Sequence, residues 1–378
     1  MTKNSGEEGT DATANQAEEL ADMLKNKFGK ETVRFLEETT RDINTPSLST
    51  GIIDLDEATG CGGMPMGRIV ELFGPEMSGK TTLALCTIAQ AQKAGYPCLY
   101  IDMEQALNPE LMRAIGVRLD ALPVAQPESG EDALKLVIEA ARGGKAKLIV
   151  IDSVAALVTR AELEGEVGDQ VIGARARLMS QTLVKLPAIL NKSGCTAIFI
   201  NQLREKIGVM FGNPEVTPGG RALKFFASMR LDVRRRGESI KDPATKMQIG
   251  HHMHIKIVKN KLASPFKECE IDLIYGVSPI ISSMLPAAIR KGIVTKQGSW
   301  ICLPNGEKFL GQPKAQQWLL TEGREYAEEL LEMTKRAIYA ESDAQNDAQS
   351  SEQDVEQDGT QDVEQIDEQN DKDAASAS

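Results

Sequence analysis

Nine consecutive residues, Gly74-Pro75-Glu76-Met77-Ser78-Gly79-Lys80-Thr81-Thr82, have the types and spacing to hold a chain of phosphates. They fit G-x-x-x-x-G-K-[ST], in which glycines let the backbone approach an anion and successive N–H groups point at its oxygens. Lys80 can reach the β/γ oxygens, and the Thr81 hydroxyl can ligate Mg²⁺. Two carboxylates stand where such chemistry needs them. Asp152 closes the apolar run Leu148-Ile149-Val150-Ile151, the arrangement in which a strand-end carboxylate holds Mg²⁺ directly or through water. Glu104 follows the run ending Ile101-Asp102, a position from which a carboxylate polarises an attacking water. Gln202, just past the run 196–200, can touch a γ-phosphate and report its presence.

These groups converge only if the elements around them form a particular sheet. Residues 68–73 read as a short buried strand and 83–91 as the helix that follows the phosphate loop. Runs 98–101, 148–151 and 196–200 read as strands; 109–115, 131–141 and 174–190 read as helices. Continuous apolar strands separated by amphipathic helices predict an α/β fold, a mostly parallel sheet covered on both faces. Ligands in such sheets sit at the carboxyl ends of the strands. Later strands, 229–234 and 254–259, have no helix between them and are expected to extend the sheet antiparallel.

Two segments look unlike inert connectors. One, 203–217, is long, rich in Gly and Pro, and mixes basic with apolar residues; the other, 162–173, follows the Asp152 strand. Long loops of this composition are usually functional.

The chain has 378 residues, enough for two or three domains. No apolar run approaches the roughly 18 residues of a membrane span, and the N-terminus lacks a charged-then-apolar leader, so the expectation is a cytoplasmic protein without a membrane partner. The six cysteines are scattered without a C-x-x-C pair, which suits reduced core thiols. The net charge of −12 is carried by the last 38 residues, where 13 Asp/Glu face Lys372 alone. The body is therefore neutral, and the low isoelectric point does not argue against a nucleic-acid partner. All three histidines fall in His251-His252-Met253-His254. On a strand His252 and His254 share a face, and no third metal ligand is evident.

Several longer words carry a resemblance to the bacterial RecA recombinase family. They are 74–81, Ile151-Asp152-Ser153-Val154-Ala155-Ala156-Leu157, Ile207-Gly208-Val209-Met210-Phe211-Gly212-Asn213-Pro214-Glu215, Ala222-Leu223-Lys224-Phe225 and Val258-Lys259-Asn260-Lys261. They run in the family's order over about residues 17–340. The resemblance implies a RecA-type ATPase core over 42–277 and a subunit-docking helix and strand over 16–41. A small C-terminal α/β domain would span 278–340, with disordered ends at 1–15 and 341–378. It implies an enzyme that uses ATP and Mg²⁺ and forms a helical filament on single-stranded DNA. Such a filament pairs homologous duplex DNA, exchanges strands in recombination and repair, and acts as co-protease on a LexA-like repressor. A filament serving mainly as a regulatory scaffold is the alternative, and a ring-shaped P-loop motor a more distant one.

By the same resemblance Glu104 is the catalytic glutamate, aided by Lys80 and the sensor Gln202, while Asn108 and Tyr275 flank the base. Lys259 and Lys261 reach a neighbouring subunit's ATP, and Lys224 and Phe225 couple that interface to DNA. The primary DNA contacts are Ile172, Gly173, Arg175, Arg177, Arg204, Lys206, Ile207, Gly208, Val209, Met210, Gly219 and Gly220, with Ile172 and Ile207 wedging between base triplets. Arg234, Arg235 and Lys256 belong to a second DNA site. Four positions depart from the family. Asn108 and Leu111 replace an Asp and a Tyr near the adenine, Val184 replaces a basic residue, and His254 replaces an Arg. They mark a divergent member, for which a mobile-element origin is one reading. A tethered acidic tail of this charge would compete with DNA phosphate for the body's basic groups.

Overall fold

A computed structural model describes residues 7–30, 33, 35, 46–165, 173–205, 215–242 and 245–338. The chain divides into two compact units, Met1–Ser47 and Leu48–Ser378. In the first, helix α1 (Glu7–Phe28) begins well before residue 16. The polar stretch assigned above to a disordered end is helical from Glu7, and Glu7, Glu8, Ala12 and Ala14 within it are good helix formers by intrinsic propensity. Gly29 ends it as expected, at φ 104° with its N–H donated to Lys25 O. Of the strand expected over 31–36 only Val33 and Phe35 are described, and neither lies in a strand.

The second unit is built on one eight-stranded sheet. Its strands are β1 (Ile69–Gly74), β2 (Cys98–Asp102), β3 (Val124–Ala125), β4 (Leu148–Asp152), β5 (Thr196–Gln202), β6 (Met229–Lys241), β7 (Gln248–Asn260) and β8 (Glu268–Ile274). They lie in the order β8-β7-β6-β1-β5-β4-β2-β3. Strands β6, β1, β5, β4, β2 and β3 run parallel, and β7 and β8 are antiparallel additions. The expectation that the strand beginning at Met229 would be antiparallel was therefore wrong. It pairs parallel with β1, Met229 opposite Val70, because the long 203–228 connection, with a short helix at Ala222–Phe226 inside it, returns the chain to the starting edge.

Successive side chains on a strand face opposite ways, and the apolar strands here feed two cores. Val70, Leu72, Leu148, Val150, Ile198 and Ile200 join one; Ile69, Ile149, Ile151, Ala197 and Phe199 join the other. The first is covered by α2 (Ile53–Thr59), α3 (Lys80–Lys93) and α4 (Pro109–Ile115). The second is covered by α5 (Gly130–Arg142), α7 (Ala174–Leu183) and α8 (Leu186–Ser193), with α6 (Arg160–Glu164) in the connection and α9 (Ala222–Phe226) beyond. The single helix expected over 174–190 is thus two. Pro187 lacks an N–H, so it suits the first turn of α8, whereas inside a continuous helix it would remove a backbone hydrogen bond and crowd the preceding turn.

The C-terminal part comprises α10 (Pro279–Arg290), an antiparallel sheet of β9 (Thr295–Gln297), β10 (Trp300–Cys302) and β11 (Lys308–Leu310), then α11 (Gln312–Leu320) and a helix over 324–338. Ile280, Leu285, Ala288, Leu319 and Leu330 belong to the same apolar cluster as Leu83 and Ile255. This segment therefore shares the main core, and no boundary between compact units falls at 278.

Candidate nucleotide-binding site

The carboxyl ends of β1, β2, β4 and β5 meet on one edge, and the residues singled out by chemistry meet there with them. β1 is wholly buried and delivers the chain into the phosphate loop at Gly74. A Cβ on Gly74 would lie 1.9 Å from Val233 O, so only glycine lets β1 and β6 close here. Gly79, at φ 100°, opens α3; its missing Cβ leaves room beside Met253 Sδ and Leu273 Cδ1. Met77 also takes a left-handed conformation, φ 55°, and is 80% exposed at the loop's crest. The N-terminus of the fourteen-residue α3 then points into the loop, with partial positive charge aimed where phosphates would lie.

Lys80 is buried and folds back on the loop, donating to Gly74 O at 3.1 Å, Pro75 O at 2.5 Å and Ser78 Oγ at 3.5 Å. Burial lowers its pKa; Asp152, Glu104 and Glu76 pull the other way. Thr81 Oγ1 donates to Asp152 Oδ2 at 2.7 Å, and the buried Tyr100 hydroxyl donates to the same oxygen at 2.8 Å. Burial raises the Asp152 pKa above the usual carboxylate range, against the Thr81 and Tyr100 hydrogen bonds, and Glu104 raises it further. A hydroxyl beside a strand-end carboxylate is a donor set that fits a hard oxygen-seeking cation such as Mg²⁺.

Glu104 lies exposed after β2, and Asp102 and Asp152 are paired in register on β2 and β4. Its Oε1 accepts from Ser153 Oγ, and from Gln202 Nε2 at 3.0 Å. The Asp152–Ser153 peptide bond is cis. Three strand ends therefore converge on one carboxylate oxygen. Tyr100 and Ser153 were not singled out from the sequence, although Ser153 adjoins Asp152 and Tyr100 lies four residues before Glu104. The loop opens on a cavity of 810 Å³ lined by Ser78, Thr82, Asn108, Leu111, His251 and Tyr275 among others. Asn108 caps α4, its Oδ1 accepting from the N–H groups of Glu110 and Leu111. Tyr275 accepts from Gln248 Nε2 at 2.8 Å.

Comparison with known proteins agrees with this arrangement. Residues 16–279 match the RecA N-terminal domain family. The chain is 50% identical over 299 residues to Protein RecA of Azospirillum lipoferum, covering 79% of this chain and 82% of that protein. It is 48% identical over 322 residues to Protein RecA of Thermus thermophilus, covering 85% and 92%, and 52% identical over 293 residues to that of Rubrobacter xylanophilus, covering 77% and 83%.

The chain belongs to the RecA family.

The matched RecA segment takes in the whole central sheet and every nucleotide-site residue named above. The remaining positions expected to matter in a RecA chain fall into three groups. Ile172, Lys206, Ile207, Gly208, Val209 and Met210 lie outside the described residues. The roots of their two loops, by contrast, come together. Gly173 starts α7, and the Gly219–Gly220 turn packs on it so closely that a Cβ on Gly220 would lie 2.9 Å from Ala176 Cβ, and one on Gly219 3.0 Å from Val154 Cγ1. Arg177 and Arg204 are exposed beside these roots, whereas Arg175 turns inward and donates to Ala155 O at 2.8 Å. Glu162, at the start of the first loop, closes a capping box with Thr159, whose backbone N–H holds its pKa down.

The second group is the basic face of β6 and β7, where Arg234, His252, His254 and Lys256 meet carboxylates. Arg234 forks onto Glu215 at 2.6 and 3.0 Å and reaches Asp232 at 2.9 Å. His254 meets Glu268 at 3.0 Å, His252 meets Asp272 at 2.7 Å, and Lys256 lies 3.9 Å from Glu268. Arg235 is exposed. The third group is the helix α9 corner. Lys259 Nζ donates to the carbonyls of Lys224 at 2.7 Å and Phe225 at 2.9 Å, while Lys261 is exposed and Phe225 is 69% exposed. Burial lowers the Lys259 pKa, with Lys261 and Arg230 adding to it and Glu71 opposing. A buried polar link joins this region to the phosphate-loop strand. Glu71 accepts from Asn201 Nδ2 at 3.0 Å and Arg230 Nε at 2.5 Å, and the same amide reaches Pro218 O at 3.2 Å.

Proposed function

We propose that this chain is a DNA-dependent ATPase that assembles as a helical filament on single-stranded DNA and catalyses homologous pairing and strand exchange. RecA-family membership supports the coarser part, a recombinase role in DNA recombination and repair. The observation that carries the enzymatic part is the convergence of Lys80, Thr81, Asp152, Glu104 and Gln202 on one edge of the sheet.

Phosphate oxygens of ATP are met by the loop's N–H groups and by Lys80, which exchanges its carbonyl partners for them. Thr81 and Asp152 would hold Mg²⁺, which neutralises charge developing on the β- and γ-oxygens. Glu104 orients and deprotonates the attacking water, and its bonds to Ser153 and Gln202 fix where its carboxylate points. A Gln202 that turns to the γ-phosphate releases Glu104 for that water, linking nucleotide state to the 203–217 loop directly behind it. Exposed Arg177 and Arg204, together with Lys206, meet DNA phosphates without reading sequence. Lys259 and Lys261 reach the neighbour's nucleotide, with Phe225 at the same interface.

A second reading, a regulatory filament scaffold that promotes self-cleavage of a LexA-like repressor and exchanges strands weakly, is favoured by the carboxylates that engage Arg234, His254 and Lys256. The deciding experiment measures ATP hydrolysis with and without single-stranded DNA for the unaltered chain and for Glu104→Ala. Strong stimulation, lost in the variant while ATP-dependent DNA binding persists, is the expected result. Unstimulated hydrolysis would reject the coupled ATPase, and repressor cleavage run beside strand exchange would then test the scaffold.

A further inference from the structure

One hydroxyl at the nucleotide site is not accounted for by packing. Tyr100 is 1% exposed and belongs to the apolar cluster of Leu72 and Val150, where a phenylalanine would fill nearly the same space. Burying a hydroxyl costs free energy unless it finds a partner. Here the partner is Asp152, whose Oδ2 accepts from the Tyr100 hydroxyl at 2.8 Å. The strands bring the two together. Tyr100 stands opposite Val150 and Asp102 opposite Asp152, so alternation puts all four on one face of the sheet.

What the hydroxyl does follows from the lone pairs of that carboxylate. Asp152 Oδ2 also accepts from Thr81 Oγ1 at 2.7 Å, so two hydroxyl donors occupy it. Oδ1 accepts from no described group and is not sealed from solvent. Thr81, having given its proton to Oδ2, keeps oxygen lone pairs for a cation. A tyrosine hydroxyl fixes the carboxylate without bringing charge, whereas a Lys or Arg donor in its place would repel the cation. A carboxylate held this way offers one oxygen, directly or through water. Mg²⁺ keeps near-octahedral geometry at about 2.0–2.1 Å and is served by one. Ca²⁺ takes about six to eight oxygens at about 2.3–2.6 Å, often both from one carboxylate.

We propose that Tyr100 is a positioning residue of the cation site: with Thr81 it fills Asp152 Oδ2, so that the carboxylate presents Oδ1 alone and the site favours Mg²⁺ over the larger Ca²⁺. The inference rests on the ATP and Mg²⁺ reading above and deepens it. Without the hydroxyl, the buried carboxylate has one donor fewer and its plane is free to turn. That change costs Mg²⁺ its one fixed oxygen and lets Ca²⁺ engage both.

Calorimetric titration of the full chain with the β,γ-imido analogue of ATP tests it, in Mg²⁺, in Ca²⁺ and in EDTA, with no turnover in the readout. Tyr100→Phe keeps the ring and removes only the hydroxyl. It should bind the analogue roughly five- to tenfold more weakly in Mg²⁺, the size of one hydrogen bond. Affinity in EDTA should be unchanged and affinity in Ca²⁺ should not fall, so the preference for Mg²⁺ narrows by the same factor. In an Asp152→Asn background, Tyr100→Phe should cost nothing further. Equal weakening under all three conditions would mean a merely structural hydroxyl and would overturn the assignment, as would an unmoved Mg²⁺ affinity. The unaltered chain supplies a check that needs no variant to fold: equal affinity for the Mg²⁺ and Ca²⁺ complexes would also overturn it. No binding by the unaltered chain under any condition would instead remove the nucleotide reading itself, a distinguishable outcome.

Discussion

Burial of charged groups at the nucleotide site has a cost that substitution can expose. Asp152 is buried and its pKa is raised, so the folded state binds its proton more tightly than the unfolded chain does. Stability from this group therefore falls as pH rises from the ordinary carboxylate range through the raised value. Asp152→Asn removes that penalty while keeping the shape. The variant should melt no lower than the unaltered chain without ligand, and should lose most of the rise in Tm that Mg²⁺ with ATP produces, as scanning calorimetry would record. Asp56 gives a sharper case away from the site. It is buried, accepts from Ser49 Oγ and from Thr50 N and Oγ1 at 2.5 to 2.9 Å, and is pushed up to about 6, chiefly by burial. The native chain holds a proton there between about pH 4 and pH 6 that the unfolded chain releases. Stability should thus decline by an amount on the order of 2 kcal/mol across that window. Urea unfolding at pH 4.5 and 6.5 should show that decline, and Asp56→Asn should flatten it.

Secondary-structure elements bring these residues into range through a few close approaches. The tightest is β1 against β6, where the Gly74 position leaves no space for a methyl group before Val233 O. Gly74→Ala must therefore push the two strands apart. A loss of about 3 kcal/mol or more is expected, beyond the usual penalty of overpacking because the obstacle is backbone; denaturant titration would read it directly. At this scale the sequence was partly legible. The phosphate loop, Asp152 and the apolar strands announced themselves because each has a local signature, a fixed spacing or a run of buried residues. The break at Val184 and Lys185 did not, since the apolar period continues through it and only Pro187 hinted at a second helix. The direction of β6 was equally hidden, because a 26-residue connection permits either sense. The fork from Arg234 to Glu215 joins residues 19 apart across two elements, and no pattern along the chain reports such a pair. His251 was seen only as part of a histidine cluster; that both its ring nitrogens are buried without a hydrogen-bond partner becomes visible once β7 and β8 are paired.

For the whole molecule, charge is distributed unevenly. The body is neutral and the last 38 residues carry the entire net charge of −12. A chain ending at Ala340 should bind duplex DNA more tightly at low Mg²⁺ and lose the advantage as salt or Mg²⁺ rises, because free cations then screen the tail. Fluorescence anisotropy at two Mg²⁺ concentrations would check this, and identical affinities at the lower one would refute competition by the tail. Most of the expected helices and strands were right for the core of this unit, the single helix over 174–190 and the sense of β6 excepted. The C-terminal segment, expected as a domain over 278–340, shares the main apolar core through its helix α10.

The crest of the phosphate loop carries a further consequence, in the chemistry of oxidation. Met77 is the most exposed of the described methionines at 80%, while Cys86, Cys98 and Cys195 are buried, the last two with thiols pushed up to about 12 by burial. Peroxide attacks accessible thioethers and thiolates, so it should convert Met77 to its sulfoxide well before it touches those three thiols. Peptide mass spectrometry after brief peroxide treatment would show the order. A polar sulfoxide at the lip of the nucleotide cavity would make oxidant damage register first as altered nucleotide affinity, in a protein whose fold is still intact.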